Sequence, residues 1–161
     1  MQEPELTHLI EIHPDRGDLP IACVKAICFV ESSFDECAHK YEPRYKYLVG
    51  TDETLSATER MDQMTSWGLM QIMGGVAREA GFTGNVVLLC HHPALGLKFG
   101  MLHLKKFYAK YQNWPDALAS YNAGSPKKGT DGKFLNQSYV DKVLRYWAQF
   151  EKAIPVTRKE G

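Results

Sequence analysis

Three long stretches of this chain carry apolar residues at helical spacing, and this spacing limits the fold more than any other feature. The first runs from Asp18 to about Ser33, the second from Pro93 to about Gln112, and the third covers residues 138–153. Apolar side chains at every third or fourth position form the buried face of a helix. Strong strand-type alternation and internal repeats are both absent from the sequence. The chain is therefore predicted to be mainly α.

Shorter helices are predicted between these stretches, over residues 56–64, 68–81 and 114–124. Ser56 and Glu59 form a capping-box pattern at the start of the first. Gly124 ends the last, because glycine readily adopts the left-handed conformation found just beyond a helix. The aromatic and charged residues 38–55 are broken by Pro43 and Gly50, so they are predicted to form a loop or an irregular subdomain, with a small hairpin as the alternative.

The length of 161 residues predicts one domain over 1–161, with its core at about 18–150. The 19 basic and 19 acidic residues cancel, so no net field favours nucleic acid or an anionic membrane as a partner. No segment approaches the roughly 20 consecutive apolar residues of a membrane-spanning helix. We expect a monomer that binds no nucleic acid and spans no membrane.

The cysteines and histidines favour packing over metal binding. None of the four cysteines is spaced as C-x-x-C, and their context is apolar, so we expect free, buried thiols: Cys23, Cys28, Cys37 and Cys90. His91 and His92 are adjacent, and adjacent side chains point apart on a helix or turn. We therefore expect no metal and no cofactor.

Glu31 is a carboxylate at the end of the first apolar helix, for which Asp18 is the predicted N-cap. It continues the face formed by Val24, Ile27 and Cys28. Burial disfavours the ionised carboxylate, and so does the negative end of the helix dipole. Both effects raise the pKa of Glu31. Such a glutamate pairs with a buried arginine, lies at the rim of the core, or serves as a proton donor.

Four motifs follow one another along the chain: ESSF at 31–34, GLMQ at 68–71, ASYNAG at 119–124, and a late tyrosine, Tyr139. Together they resemble the lytic transglycosylase family, in its SLT domain, over about residues 18–150. The resemblance implies a goose-lysozyme-like helical domain with a substrate groove. The wider pattern is similar to small single-domain enzymes of bacteria and phages.

The resemblance also implies roles for individual side chains. Glu31 matches the family's single catalytic acid. Six further residues match positions that line the groove, contact the sugar or orient the acid: Ser33, Met70, Gln71, Tyr121, Asn122 and Tyr139. The reaction implied is non-hydrolytic cleavage of the linkage between N-acetylmuramic acid and N-acetylglucosamine in peptidoglycan, giving 1,6-anhydromuramoyl ends.

One departure from the family pattern bears on this reaction. Residues 32–67 separate Glu31 from the GLMQ motif, and this gap is longer than in many family members. The gap supplies further carboxylates: Glu42, Asp52, Glu53, Glu59 and Asp62. Such a stretch either forms one lip of the groove or brings in a second catalytic carboxylate. The second case would make the protein a goose-type-lysozyme-like hydrolase. Glu42 is the best candidate, although a lip or structural role, paired with Arg44 or another base, is expected.

The partners and location follow from the same resemblance. We expect peptidoglycan glycan strands as the substrate. The first fifteen residues carry acids where a secretory signal would carry bases, so no signal peptide is recognised. Wall-directed chemistry without a signal favours a phage lysin, a virion-borne enzyme or another export route. The alternative from another class is a non-catalytic glycan-binding or virion structural protein.

Overall fold

The structure is a computed structural model that describes residues 1–51 and 53–153. The helices are α1 (Glu3–Ile12), α2 (Ile21–Ser32), α3 (Ala57–Gln63), α4 (Gly74–Glu79), α5 (Leu88–His91), α6 (Pro93–Tyr111), α7 (Trp114–Ala123) and α8 (Gln137–Ala153). The strands β1 (His39–Tyr41), β2 (Thr65–Trp67) and β3 (Ile72–Met73) form one antiparallel sheet in that order. The mainly α prediction is confirmed.

Helix α2 lies at the centre of the larger of two hydrophobic clusters. Every residue from Ala22 to Cys28 is buried, because α8 packs along one side of the helix and α1 along another. Helices α6 and α7 supply further members, among them Leu104 and Leu118. Residues fully surrounded by other elements contribute most to stability. The end of α2 is therefore held by the core.

The second cluster joins the sheet to α4, α5 and α6. Trp67 and Ile72 from the strands pack with Leu89 from α5 and Phe99 from α6. Helix α6 runs through both clusters, since Leu97, Met101 and Leu104 belong to the first and Phe99 to the second. This shared helix fixes the sheet relative to α2.

A buried lysine links three helices. Lys25 on α2 is 4% exposed. Its Nζ bonds the carboxylate of Glu3 on α1 at 2.7 Å and lies 4.6 Å from the centre of the Phe150 ring on α8. An ammonium group is tolerated inside a protein when it has such partners. Lys25 therefore positions α1 and α8 on the central helix.

Two predictions about helix starts are wrong. Pro20, with no side-chain cap, precedes α2, so Asp18 is not its N-cap. The helix predicted to begin near Gly68 begins only at Gly74. Gly68 and Gln71 have φ of 71° and 46°, which turn the chain back between β2 and β3 and are incompatible with a continuous helix.

The region 38–55 contains a strand, but its partner is distant. Strand β1 pairs with β2, with His39 opposite Trp67 and Tyr41 opposite Thr65. At α3, Ser56 accepts the backbone N–H of Glu59 at 3.1 Å, which confirms the predicted N-cap. The Glu59 carboxylate binds Arg78 rather than closing the capping box.

The predicted long helices α6 and α8 and the stop of α7 at Gly124 are confirmed. Helix α1 was not predicted, and its Leu6 and Ile10 are fully buried in the central cluster. All four cysteines are free, and three are buried. Cys37 is exposed, contrary to the expectation, because it lies in the turn that leads from α2 to β1.

Candidate active site

Glu31 lies in the last turn of α2, half-buried, with its backbone held from two sides. The hydroxyl of the next residue, Ser32, has two acceptors for its one hydrogen, Cys28 O within the helix and Leu69 O, both at 2.9 Å. The second bond joins the end of α2 to the segment that follows β2. Burial raises the pKa of Glu31 to about 7, while Tyr139 and Lys40 act in the opposite direction. The carboxyl group is thus poised to release and recover a proton near neutral pH.

Tyr139, in the first turn of α8, faces Glu31. Its hydroxyl is buried and has no partner in full hydrogen-bond geometry. The same hydroxyl lowers the pKa of Glu31, and burial and the Glu31 charge raise the pKa of Tyr139 well above its usual range. The contact is therefore long or poorly aligned. Catalytic hydrogen bonds commonly have this geometry before substrate binds and tighten when it arrives.

Tyr121 is a buried tyrosine that supports the site from behind. Its hydroxyl donates to Met70 O at 2.7 Å, across 51 residues of sequence. Burial raises its pKa well above the usual range, as does the charge of Glu31. Met70 itself is completely buried and touches the position where a Cβ on Gly100 would stand. The Met70 side chain therefore lies inside the core, where it cannot touch a ligand directly.

The Gln71 side chain is engaged inside the protein. Its Nε2 donates to Ala38 O at 3.0 Å and to Gly68 O at 2.9 Å, while its Oε1 accepts the Ser66 hydroxyl at 2.8 Å. These contacts use both N–H groups of the amide. Gln71 thus connects the turn after β2 to the start of β1, and no side-chain N–H remains for a sugar.

Asn122, at the end of α7, is exposed and faces a partner across the loop that leads to α8. Its Oδ1 accepts a bond from Asn136 Nδ2 at 2.9 Å, and the same Nδ2 donates to Ala119 O at 3.0 Å. Because the side-chain oxygen is held, the Asn122 amide group has a defined direction. Its two N–H groups point away from this bond and are suited to a polar ligand.

The chain reverses sharply just after Glu31. Ser33 and Phe34 have φ of 53° and 68°, a left-handed conformation that is uncommon for non-glycine residues. Ser33 caps α2 through its N–H to Phe29 O at 2.9 Å, and its side chain is exposed. Backbone strain of this kind concentrates near functional sites. Here it directs the chain from the end of α2 towards the sheet.

Three of the additional carboxylates in residues 32–67 have polar partners other than Glu31. Glu42 pairs with Lys40 at 2.6 Å and Glu59 with Arg78 at 2.7 Å, while Glu53 accepts the Thr51 hydroxyl. Burial raises the pKa of Asp62. Asp52 lies outside the described residues. Within the described part of the chain, the causes of the Glu31 pKa shift include no second carboxylate.

Sequence reasoning missed two residues of this site. Lys40 acts electrostatically on Glu31, and Asn136 holds Asn122. Neither has a local signal, since one lies in a stretch of mixed charge and the other in a polar loop. Two cavities lie elsewhere, a volume of about 160 Å³ beside His103 and one of about 590 Å³ beside Ile12, and Glu31 lines neither.

A model of the transglycosylase SLT domain matches residues 9–139, most of the chain. The chain belongs to the SLT transglycosylase family. Its members are peptidoglycan lytic transglycosylases with a lysozyme-like fold, so the protein is an enzyme of the lyase class that acts on peptidoglycan. No curated protein and no solved structure matches it significantly.

No helix of this SLT domain within residues 1–51 and 53–153 has the length and apolar character needed to cross a bilayer. The same residues contain no group of three or more His, Cys, Asp or Glu side chains arranged to hold a metal ion.

Proposed function

We propose that this SLT domain cleaves the β-1,4 linkage between N-acetylmuramic acid and N-acetylglucosamine without water, with Glu31 as acid and then as base. The observation that carries the proposal is the carboxyl group of Glu31 at the end of a buried helix, with a pKa raised to about 7. A glycosidic oxygen can leave only when it is protonated, which requires an acid that keeps its proton near neutral pH.

In the first half of the reaction, Glu31 gives its proton to the glycosidic oxygen and the bond to the anomeric carbon breaks. The anomeric carbon becomes electron-poor, and the 2-acetamido oxygen of the same sugar stabilises it. This substrate-assisted route requires no nucleophile from the protein. Glu31 is then a carboxylate, which the facing hydroxyl of Tyr139 stabilises.

In the second half, the 6-hydroxyl oxygen of the muramic acid bonds to the anomeric carbon and its proton passes to the Glu31 carboxylate. The product is a 1,6-anhydromuramoyl end, and Glu31 returns to its starting form. A pKa near the working pH suits both steps, because one group must act first as acid and then as base.

The remaining candidate residues divide by position. Asn122, Ser33 and Tyr139 are the proposed sugar and acid contacts, because Asn122 and Ser33 are exposed and Tyr139 faces Glu31. Met70 and Gln71 act through the shape of the wall, Met70 by packing and by accepting the Tyr121 hydroxyl, Gln71 by its bonds to Ala38 and Gly68. Peptidoglycan strands are the proposed ligand of this surface.

The hydrolase remains the second candidate, because the long stretch between Glu31 and the GLMQ motif carries further carboxylates. Its requirement is a second carboxylate about 6.5–9.5 Å from the acid, with a water between them. Glu42 directly follows β1, and its charge is compensated by Lys40, whose Nζ lies 2.6 Å away. Glu42→Gln should therefore retain most of the activity, whereas loss of activity as deep as that of a Glu31 variant would favour hydrolysis.

Product analysis separates the two reactions. Purified peptidoglycan is digested with the full chain, and the released muropeptides are analysed by mass spectrometry. We expect fragments lighter by one water, about 18 mass units, than hydrolysed ones, with no new reducing ends. Mainly reducing-end muramic acid would refute the transglycosylase reaction and direct attention to Glu42, Asp52 and Asp62.

A turbidity assay on isolated cell walls tests the non-catalytic alternative. The wild-type chain should clear the suspension and the Glu31→Gln variant should not, although both should bind walls in a pelleting assay. Binding by the wild type without clearing would identify a glycan-binding or virion structural protein. We propose that the enzyme acts at the cell wall and that it works as a monomer.

A further inference from the structure

The connection between α7 and α8 contains a small β-hairpin over residues 127–135. Lys128 and Phe134 pair across it in an antiparallel bridge. Two backbone hydrogen bonds of 2.9 Å flank this pair, one on each side: Leu135 N to Lys127 O and Gly129 N to Lys133 O. Hydrogen bonds on both sides of a pair hold the two arms of a hairpin side by side. The side chains of the hairpin therefore have defined faces.

The two faces of the hairpin carry different groups, because side chains alternate along each arm. Lys128 and Phe134 share one face, where the Lys128 Nζ lies 4.7 Å from the centre of the Phe134 ring. The opposite face, which we call the lysine face, carries Lys127 and Lys133 together with Leu135. Leu135 is 72% exposed. An exposed leucine between two lysines is thus presented to solvent on one surface.

The charges of the lysine face have no acidic partner. Lys127 and Lys133 are exposed, and neither forms an ion pair within the part of the chain that the structure describes. The one acid of the hairpin, Asp131, accepts the backbone N–H of Lys133 at 3.1 Å and so stabilises the turn. The hairpin has three lysines and one aspartate, so it is positive although the whole chain is neutral. A local positive surface favours an anionic partner.

The hairpin is attached to the candidate active site at its base. Asn136 directly follows it, and the Asn136 Nδ2 donates to Asn122 Oδ1 at 2.9 Å and to Ala119 O at 3.0 Å. The hairpin also connects α7, which carries Asn122, to α8, whose first turn carries Tyr139. Its position is therefore fixed relative to the proposed sugar contact Asn122.

We propose that the lysine face binds the anionic stem peptide of peptidoglycan, so that the enzyme prefers strands whose stem peptides carry free carboxylates. This inference rests on the proposed function. The stem peptide is attached to the lactyl group of muramic acid, and it therefore leaves the glycan beside a sugar bound in the groove. It carries carboxylates and alanine methyl groups, which complement two lysines and a leucine. The zero net charge of the whole chain provides no long-range attraction to an anionic membrane.

The test compares two soluble substrates that differ in charge. One is uncrosslinked glycan strands with intact stem peptides, and the other is the same strands after carbodiimide and ammonium chloride have converted their carboxylates to amides. An exposed ion pair changes an equilibrium constant by a factor of about 1.4–5, so two pairs predict a kcat/KM roughly 2- to 25-fold higher for the anionic strands. The difference should lie mainly in KM, because these contacts are remote from the bond that breaks. It should shrink in about 1 M salt.

Charge variants assign this preference to the lysine face. The double variant Lys127→Gln with Lys133→Gln should bring the ratio of the two kcat/KM values close to one, whereas the corresponding double arginine variant should keep it. The matched control, Lys98→Gln with Lys110→Gln, removes the same charge from α6, where each lysine lies over the ring of the residue that follows it. It should keep the wild-type ratio. Circular dichroism and melting temperature confirm that every variant is folded.

Three results would overturn the inference: a ratio of one in the wild type, an undiminished ratio in the double glutamine variant, or an equal fall in the control. Pelleting with vesicles of phosphatidylglycerol and phosphatidylcholine that the double glutamine variant loses, together with a ratio of one, would assign the lysine face to an anionic membrane instead. Substantial activity of Glu31→Gln would overturn the proposed function whatever the ratio, so the two failures are distinguishable.

Discussion

At the scale of single residues, the environment of Glu31 predicts that replacing its carboxyl group by an amide strongly lowers the catalytic rate. Glu31→Gln keeps the shape of the side chain and removes its proton chemistry. We expect the rate of wall lysis to fall by about 10²–10⁴-fold, the usual contribution of general acid–base catalysis. Substantial lysis by the pure, folded variant would exclude Glu31 as the acid.

The same substitution predicts a pH-dependent gain in stability. Burial raises the pKa of Glu31 in the folded state from 4.5 to about 7. The free energy of folding therefore becomes less favourable as the pH rises from 4.5 to about 7, and the full cost is present above that pH. The shift corresponds to up to roughly 3 kcal/mol. Glu31→Gln should therefore melt at a higher temperature than wild type at pH 8. At pH 4 the two melting temperatures should coincide, and a constant difference across this range would contradict the raised pKa.

Asn122 and Gln71 should respond differently to truncation, although the sequence assigned both to the groove. Asn122 is exposed, so Asn122→Ala should weaken turnover at least several-fold and leave the melting temperature nearly unchanged. Gln71 makes three internal hydrogen bonds, so Gln71→Ala should lower stability by about 1–3 kcal/mol. Chemical denaturation and steady-state kinetics on both variants measure the contrast. Equal losses of stability would place Asn122 in the framework as well.

At the scale of elements, α1 is predicted to be an integral part of the domain. Its Leu6 and Ile10 are fully buried against α2, and Met1 donates its terminal amine to Phe34 O at 3.0 Å. Leu6→Ala should destabilise the fold by about 2–5 kcal/mol, the usual range for a buried leucine. Ile12→Ala on the same helix is the control and should cost little, because Ile12 is 61% exposed. Urea denaturation measures both, and a small effect of Leu6→Ala would show that α1 is a dispensable addition.

Helix α2 illustrates why some elements were predictable and others were not. The apolar spacing of α2, α6 and α8 is a local property of the sequence. It predicts a helix with one buried face, whichever elements cover that face. The segment 68–73 was predicted to be helical, yet it forms the turn after β2 and the strand β3. Its conformation depends on β1, which supplies the hydrogen bonds, and on Gly68, whose missing side chain allows Leu89 O to come close.

At the scale of the whole molecule, the distribution of thiols predicts a two-stage reaction with a thiol reagent. All four cysteines are free and Cys37 alone is exposed. One thiol should react quickly in the native protein, and four should react after denaturation without reductant. Burial raises the pKa of Cys23 and Cys28, which makes them slower still. A count of two reactive thiols after denaturation would show that two of the cysteines form a disulfide, and it would contradict the four free thiols of the structure.

The sequence by itself determined the helical class, the position of Glu31 at the end of a buried helix, the direction of its pKa shift and the order of the family motifs. These properties depend on the spacing of neighbouring residues, so they are readable without coordinates. The tertiary structure decided what is non-local: the pairing of β1 with β2 and the addition of α1 to the core. It also decided that Gln71 faces inward. Its hydrogen-bond partner Ala38 is 33 residues away in the sequence, and only the packed fold brings the two residues together.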